Sequence, residues 1–190
     1  VTDPDVSAYK GMSMFVVPAD TPGVEIVRNV GTGTEPSADG THAYVRFDEV
    51  HVPADQMLGG EGQAFAIAQT RLGGGRIHHA MRTIALVRQA FDMMLERSVS
   101  RITANGPLGS LQMTQERIAD SWIEMEQFRL LVLKTAWIID TQPHGAARTH
   151  IGMCKIQLGK VFYEIARRAV HLHGSLGVSL ETPLYKIWAG

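Results

Sequence analysis

Near Gly62 the hydrophobic pattern of this chain changes period, and that change limits the folds open to it. Downstream, Ile77, Met81, Ile84, Val87, Phe91 and Met94 recur at spacings of three and four, which is one face of a helix running from near Arg76 to about Arg101. Asn105-Gly106-Pro107 breaks it. A second stripe of Ile118, Trp122, Met125, Phe128, Val132, Ala136 and Ile139 predicts a helix from near Leu111 to the break at Pro143-His144-Gly145. A third stripe of Ile151, Cys154, Leu158, Val161, Ile165, Ala169 and Leu172 predicts a helix from about Ala146 to His173. Gly174-Ser175-Leu176-Gly177 ends that one, and Glu181-Thr182-Pro183 opens a short final helix or turn. Long helices joined by short links pack antiparallel, and stripes averaging close to 3.5 residues favour shallow crossings.

Upstream the period is that of strands. Met14–Val17 is a short apolar run ending at Pro18, and Val24–Val27 alternates. Gly31–Gly40 is turn chemistry, and two further strands are expected at His42–Phe47 and Val50–Pro53. Four short strands cannot close a sandwich or barrel by themselves, so they belong to a larger sheet whose first half lies upstream. The expected class is α+β, with residues 1–61 as part of a β domain and 62–190 as a helical bundle. Starting at Val1-Thr2-Asp3-Pro4, the sequence reads as a stretch of a longer chain.

Composition removes several functions. A net charge of −1 and a pI near 6.8 lack the basic footprint of a nucleic-acid binder. No apolar run reaches the length of a transmembrane segment. A single cysteine, Cys154, excludes an internal disulfide framework and suits a reducing compartment: the cytoplasm if the source is bacterial, with any organelle-targeting segment upstream of Val1. Eight histidines invite a metal site, but His78-His79 face apart on a helix, as do His171 and His173. No Glu-x-x-His of a di-iron bundle occurs, nor a Gly-x-Ser-x-Gly, a Walker motif or a dinucleotide fingerprint. Cys154 falls on an apolar stripe, where a buried inert thiol is the usual case.

What remains is a set of glycine, arginine and polar clusters. Gly73-Gly74-Gly75-Arg76 removes three consecutive Cβ atoms and then supplies a fixed cation, which suits close approach to a large anionic ligand; a glycine-softened helix bend reads equally well. Arg101-Ile102-Thr103 with Gln112, and His171 to Ser175, gather at helix ends, where arginine forks and N–H groups can hold a pyrophosphate. Helix capping and packing account for such clusters too.

The order of these pieces is more specific than any one of them. Tyr44-Val45-Arg46-Phe47-Asp48-Glu49-Val50-His51-Val52-Pro53, then Gly60-Glu61-Gly62, the glycine-arginine element, a helix ending at Arg101, another opening at Gln112, and Val170-His171-Leu172-His173-Gly174-Ser175-Leu176-Gly177 together resemble the acyl-CoA dehydrogenase family over essentially the whole chain. Arg71 to Arg82 looks most like the branch typified by family member eleven. The resemblance implies an N-terminal helical domain, a β-barrel-like middle domain and a C-terminal four-helix bundle. This chain would cover the second part of the β domain and most of the bundle. It further implies an FAD flavoprotein that dehydrogenates a fatty acyl-CoA to the trans-2-enoyl-CoA in β-oxidation and passes electrons to an electron-transfer flavoprotein. Assembly would be a homodimer or homotetramer through the bundle.

By the same resemblance, Gly73, Gly74, Gly75 and Arg76 match the acyl-CoA-contacting segment. Arg101, Thr103, Gln112, His171, Gly174 and Ser175 match positions that contact FAD. The family usually has Phe-Gly where this chain has Ala104-Asn105, glutamine at His171 and a second glycine at Ser175. Its proton-abstracting carboxylate usually follows the segment resembling Pro183-Leu184-Tyr185-Lys186, so the base is expected beyond Gly190. The alternative glutamate position is Gly75 here, and Glu181 is the nearest carboxylate. Two other readings stand beside this one: an acyl-CoA oxidase-like relative, and a non-catalytic truncated paralogue serving as an assembly subunit.

Overall fold

A computed structural model describes residues 1–33, 35–36 and 39–189. The turn expected over Gly31–Gly40 therefore lies partly outside the described residues. The chain divides into two compact units, Val1–Leu72 and Gly73–Gly190.

The first unit carries two antiparallel ribbons. Strand β1 (Met14–Phe15) pairs with β4 (Met57–Leu58), and β2 (Val24–Val30) pairs with β3 (His42–Phe47), with a register irregularity between Ile26 and Arg28. Across the second ribbon Arg46 bonds Glu25 at 3.0 Å, and the Arg28 guanidinium lies 5.7 Å from the Tyr44 ring centre. Beside it, the Glu35 carboxylate accepts from the backbone N–H groups of Thr32 and Thr41 and from both hydroxyls. These backbone donors hold its carboxyl below the usual range. Apolar residues on the ribbon stay in solvent: Ile26 is 62% exposed and Phe47 65%. The ribbons form no closed barrel among the described residues, as an unfinished sheet should not.

One expected strand is corrected. Val50–Pro53 joins no ladder; Pro53 has no N–H to give, and the edge of β1 is taken by Met57–Leu58 after a 3₁₀ turn at Ala54–Gln56.

Helix α1 (Ala64–Ser100) starts twelve residues before the expected Arg76 and runs unbroken through the three glycines. Its first N–H, on Ala64, is satisfied by the Met12 carbonyl, and Gly60 N–H bonds the Gln63 side chain. Ala64-Phe65-Ala66-Ile67-Ala68-Gln69 is rich in helix formers. They set the helix before it meets the glycines, each of which costs about 1 kcal/mol relative to alanine. A short-range glycine penalty thus loses to helix on both sides.

In the second unit α1 is followed by a hairpin of β5 (Ile102–Thr103) and β6 (Gly106–Pro107), where only a break was expected. Helices α2 (Gln112–Thr141) and α3 (Arg148–His173), a 3₁₀ turn at Gly174–Val178 and a short α4 (Leu184–Ala189) complete it. One core joins Ala80, Val87, Phe91 and Met94 of α1, Met125, Phe128 and Val132 of α2, Cys154, Val161, Ile165 and Ala169 of α3, and Leu184 and Ile187 of α4. The α3 stripe is as expected. That of α2 holds at Met125, Phe128 and Val132 but shifts around them: Ser121 and Thr135 are fully buried, whereas Trp122 and Ile139 are 42% and 44% exposed. The two hydroxyls bond back to the Arg117 and Leu131 carbonyls at 2.6 and 2.7 Å, so burying them strands no polar group. On α1, Met81 is likewise exposed and Ala80 takes the core position.

Candidate functional site

Antiparallel packing of α2 on α3 brings the start of one beside the end of the other. Three cross-links record it: Thr135 against Cys154 at 3.2 Å, the Arg168 fork on Glu124 at 2.9 and 3.0 Å, and Arg117 on His171 at 2.8 Å. Because α1 leads into α2 through the hairpin, its C-terminal turn reaches the same end. There the structure gathers Arg101, Thr103, Gln112, His171, Gly174 and Ser175.

Each is held by local chemistry. Arg101 follows the last residue of α1; its N–H bonds the Arg97 carbonyl and its own carbonyl accepts from Leu108 at 2.8 Å. The guanidinium is exposed and pairs with no carboxylate among the described residues. Thr103 ties the hairpin: its hydroxyl donates to the Gly106 carbonyl at 2.8 Å and accepts from Asn105 N–H. That hydroxyl hydrogen is committed within the turn. Ala104 and Asn105 sit exposed at the tip. The 3₁₀ turn after the hairpin, Leu108–Ser110, lies close on α1, where a Cβ at Gly109 would stand 3.1 Å from the Ser98 carbonyl oxygen. Gln112 is the exposed first residue of α2.

Across from them α3 ends at Gly174, whose φ of +60° an L residue rarely adopts. The space beyond it is open, with no atom within 4 Å of where a Cβ would stand. At Gly177 a Cβ would collide with the Val170 carbonyl, so glycine alone lets the 3₁₀ turn fold back on α3. Ser175 is exposed.

Sequence reasoning missed three arginines here. Arg117 holds the His171 ring, and Arg168 is fixed by Glu124 and Ser121. Arg97, one turn before Arg101, keeps a buried Nε without a hydrogen-bond partner. The signal of Arg117 and Arg168 lay in long-range pairing between helices, which spacing along one helix does not carry. With Glu124 already neutralised by Arg168, this helix end offers an anion uncommitted donors at Arg97 and Arg101.

Gly73–Arg76 does not join this group. It lies about 38 Å along α1 from Arg101 at 1.5 Å per residue. No atom comes within 4 Å of a Cβ at any of its three glycines, so that helix surface is bare. Glu181 is exposed, its N–H bonded to the Ser179 hydroxyl ahead of α4. No group of three His, Cys, Asp or Glu fit to hold a metal occurs among the described residues, and no described helix is long and apolar enough to cross a membrane.

The fold and this helix end define a class: an α+β protein whose helical domain carries arginine, amide and glycine groups at one end. Residues 57–190 match the model of the acyl-CoA dehydrogenase C-terminal domain. The chain is 42% identical over 187 residues to acyl-CoA dehydrogenase family member 11 of Rattus norvegicus, covering 98% of this chain and 24% of that protein. It superposes on an acyl-CoA dehydrogenase candidate from Mycobacterium abscessus with a TM-score of 0.92 at 38% identity, over 98% of this chain and 46% of that one. On butyryl-CoA dehydrogenase from Megasphaera elsdenii the TM-score is 0.81 at 27% identity, over 98% and 48%. The chain belongs to the acyl-CoA dehydrogenase family. It spans between a quarter and a half of the length of these relatives.

Proposed function

We propose that the protein containing this chain is an FAD-dependent acyl-CoA dehydrogenase that converts a fatty acyl-CoA to its trans-2-enoyl-CoA in β-oxidation and yields electrons to an electron-transfer flavoprotein. The observation that carries this is the helix end just described, inside a family of flavoproteins. An orphaned Arg97 Nε, an unpaired Arg101 fork and a glycine-opened α3 terminus fit an anionic dinucleotide. Bound FAD supplies the acceptor for the hydrogen that leaves the β carbon. Of this chain's residues, Arg101 and Gln112 would hold the cofactor from the hairpin side, and His171, Gly174 and Ser175 from the α3 side. Thr103 would keep the hairpin in shape. Gly73–Gly75 would let acyl-CoA lie against α1, and Arg76 would offer its charge there. We place the α-proton base beyond Gly190, where the family resemblance puts it; Glu181 lies exposed ahead of α4, with its backbone N–H on the Ser179 hydroxyl.

The domain division is proposed at 61/62, where the strand period gives way to the helical one. The two candidate regions stand far apart on one α1, which suits sites completed by a second subunit. A homodimer or homotetramer through the bundle is supported by Ile123, Leu130 and Trp137, exposed at seven-residue intervals on α2. Beside them runs a groove of about 390 Å³ lined by Gln127, Phe128, Leu131, Met153, Ile156 and Gln157.

The test is the visible spectrum of the purified full-length protein under anaerobic conditions. Oxidised-flavin bands that bleach on adding acyl-CoA are expected. Peroxide formation in air with acyl-CoA as sole substrate would move the protein to the oxidases. A colourless protein that takes up no FAD would leave an assembly subunit, the reading that the exposed, aromatic-free Ala104-Asn105 tip favours.

A further inference from the structure

The two histidines that end α3 are fixed in opposite tautomers. Arginine has no acceptor atom and stays protonated, so in the 2.8 Å contact between Arg117 Nη1 and His171 Nδ1 the ring nitrogen must accept. The hydrogen of a neutral His171 is then on Nε2. Two residues on, His173 Nδ1 stands 2.9 Å from the Ala169 carbonyl, which can only accept, so there Nδ1 carries the hydrogen and Nε2 is an acceptor. His173 is buried in its own helix, 7% exposed, while His171 is exposed at the mouth of the proposed site.

We propose that Arg117 is a positioning residue: it locks His171 with Nε2–H as a fixed donor toward the bound FAD. This rests on the FAD reading above. A glutamine at this point carries its own N–H₂ and needs no such help. A neutral imidazole does, because its other tautomer would present a bare acceptor to an anion. The Arg117 backbone is tied into the same network: its carbonyl accepts from Ser121, whose hydroxyl oxygen also receives Arg168. The donor is thus set by a chain of contacts running from α3 across α2 and back.

The experiment uses the full-length protein labelled with ¹⁵N-histidine, with FAD affinity measured by flavin-fluorescence titration. Wild type should show the hydrogen of His171 on Nε2 and that of His173 on Nδ1. In Arg117→Met the His171 signals should move to a tautomer mixture while His173 stays unchanged, which also reports that the helix end is still folded. FAD Kd should rise about five- to tenfold, the scale of one ordinary hydrogen bond. In a His171→Gln background the same Arg117→Met change should alter Kd by less than about twofold. A wild-type His171 protonated on Nδ1 would overturn the proposal, as would equal losses of FAD affinity in the two backgrounds. Failure of the wild type to bind FAD would overturn the site reading itself, whatever the histidine spectra show.

Discussion

The helical unit closes its own core, and the β ribbon closes nothing. Phe91, Phe128 and Ile165 are all but fully buried among three helices, and the hydroxyls of Ser121 and Thr135 are satisfied inside that core. On the ribbon, Ile26, Tyr44 and Phe47 are each more than half exposed, although such side chains usually face a core. Helices satisfy their backbone within one segment and need only a stripe of neighbours. A strand needs a partner on each edge and a layer on one face. A stretch cut from a larger protein therefore keeps its helical part nearly whole and leaves its sheet open.

That contrast predicts an ordering of substitutions. The largest loss belongs to the core: Phe128→Ala should cost roughly 3–5 kcal/mol in chemical denaturation, against less than about 0.5 kcal/mol for Phe47→Ala in the same 190-residue chain. Comparable losses would mean that the ribbon has found a cover. Next comes Arg168→Met, which leaves Glu124 and Ser121 without their cation in a half-buried setting; we expect about 2 kcal/mol. A value near zero would class that pair with surface ion pairs. Gly74→Ala should go the other way. It adds about 1 kcal/mol of stability, since a helical glycine facing open space is replaced, and it should weaken acyl-CoA binding if substrate lies there. Calorimetry with and without acyl-CoA separates the two effects.

The smallest effect is the Glu126–Arg129 pair. Its hydrogen bond from Arg129 holds the Glu126 carboxyl below the usual carboxylate range and lifts the guanidinium above its own. A depressed carboxyl stabilises above the unfolded pKa and is lost as pH falls through the folded one. Any difference between wild type and Glu126→Gln should therefore shrink as pH falls below the usual carboxylate range and vanish once the folded carboxyl is protonated. Both residues face water, so a difference in Tm that persists in strong acid would point to a packing role instead.

Much of this was legible in the sequence because helix periodicity is redundant. Two stripes located α2 and α3 within a few residues and gave the α3 core as found. The misses have physical causes. Trp122 outranks Ser121 on any hydropathy scale, yet a serine bonded to its own helix can be buried and a tryptophan can lie at an edge, here 5.5 Å from the Phe91 ring. The start of α1 was hidden because three glycines look like an end when read alone. Val50–Pro53 has strand composition without a strand's neighbour. At the candidate site the exposed ends could be named from the chain, whereas Arg117 and Arg168 are defined by their partners on the facing helix.

The most direct test of the account is hydrogen–deuterium exchange of the full-length protein with and without FAD. Protection should concentrate in amides 97–112 and 171–178, the two sides of the helix end that gathers Arg101, Gln112 and His171. The far link between α2 and α3, residues 142–147, should be unchanged. Protection confined to that far link, or none in either segment at saturating FAD, would contradict it.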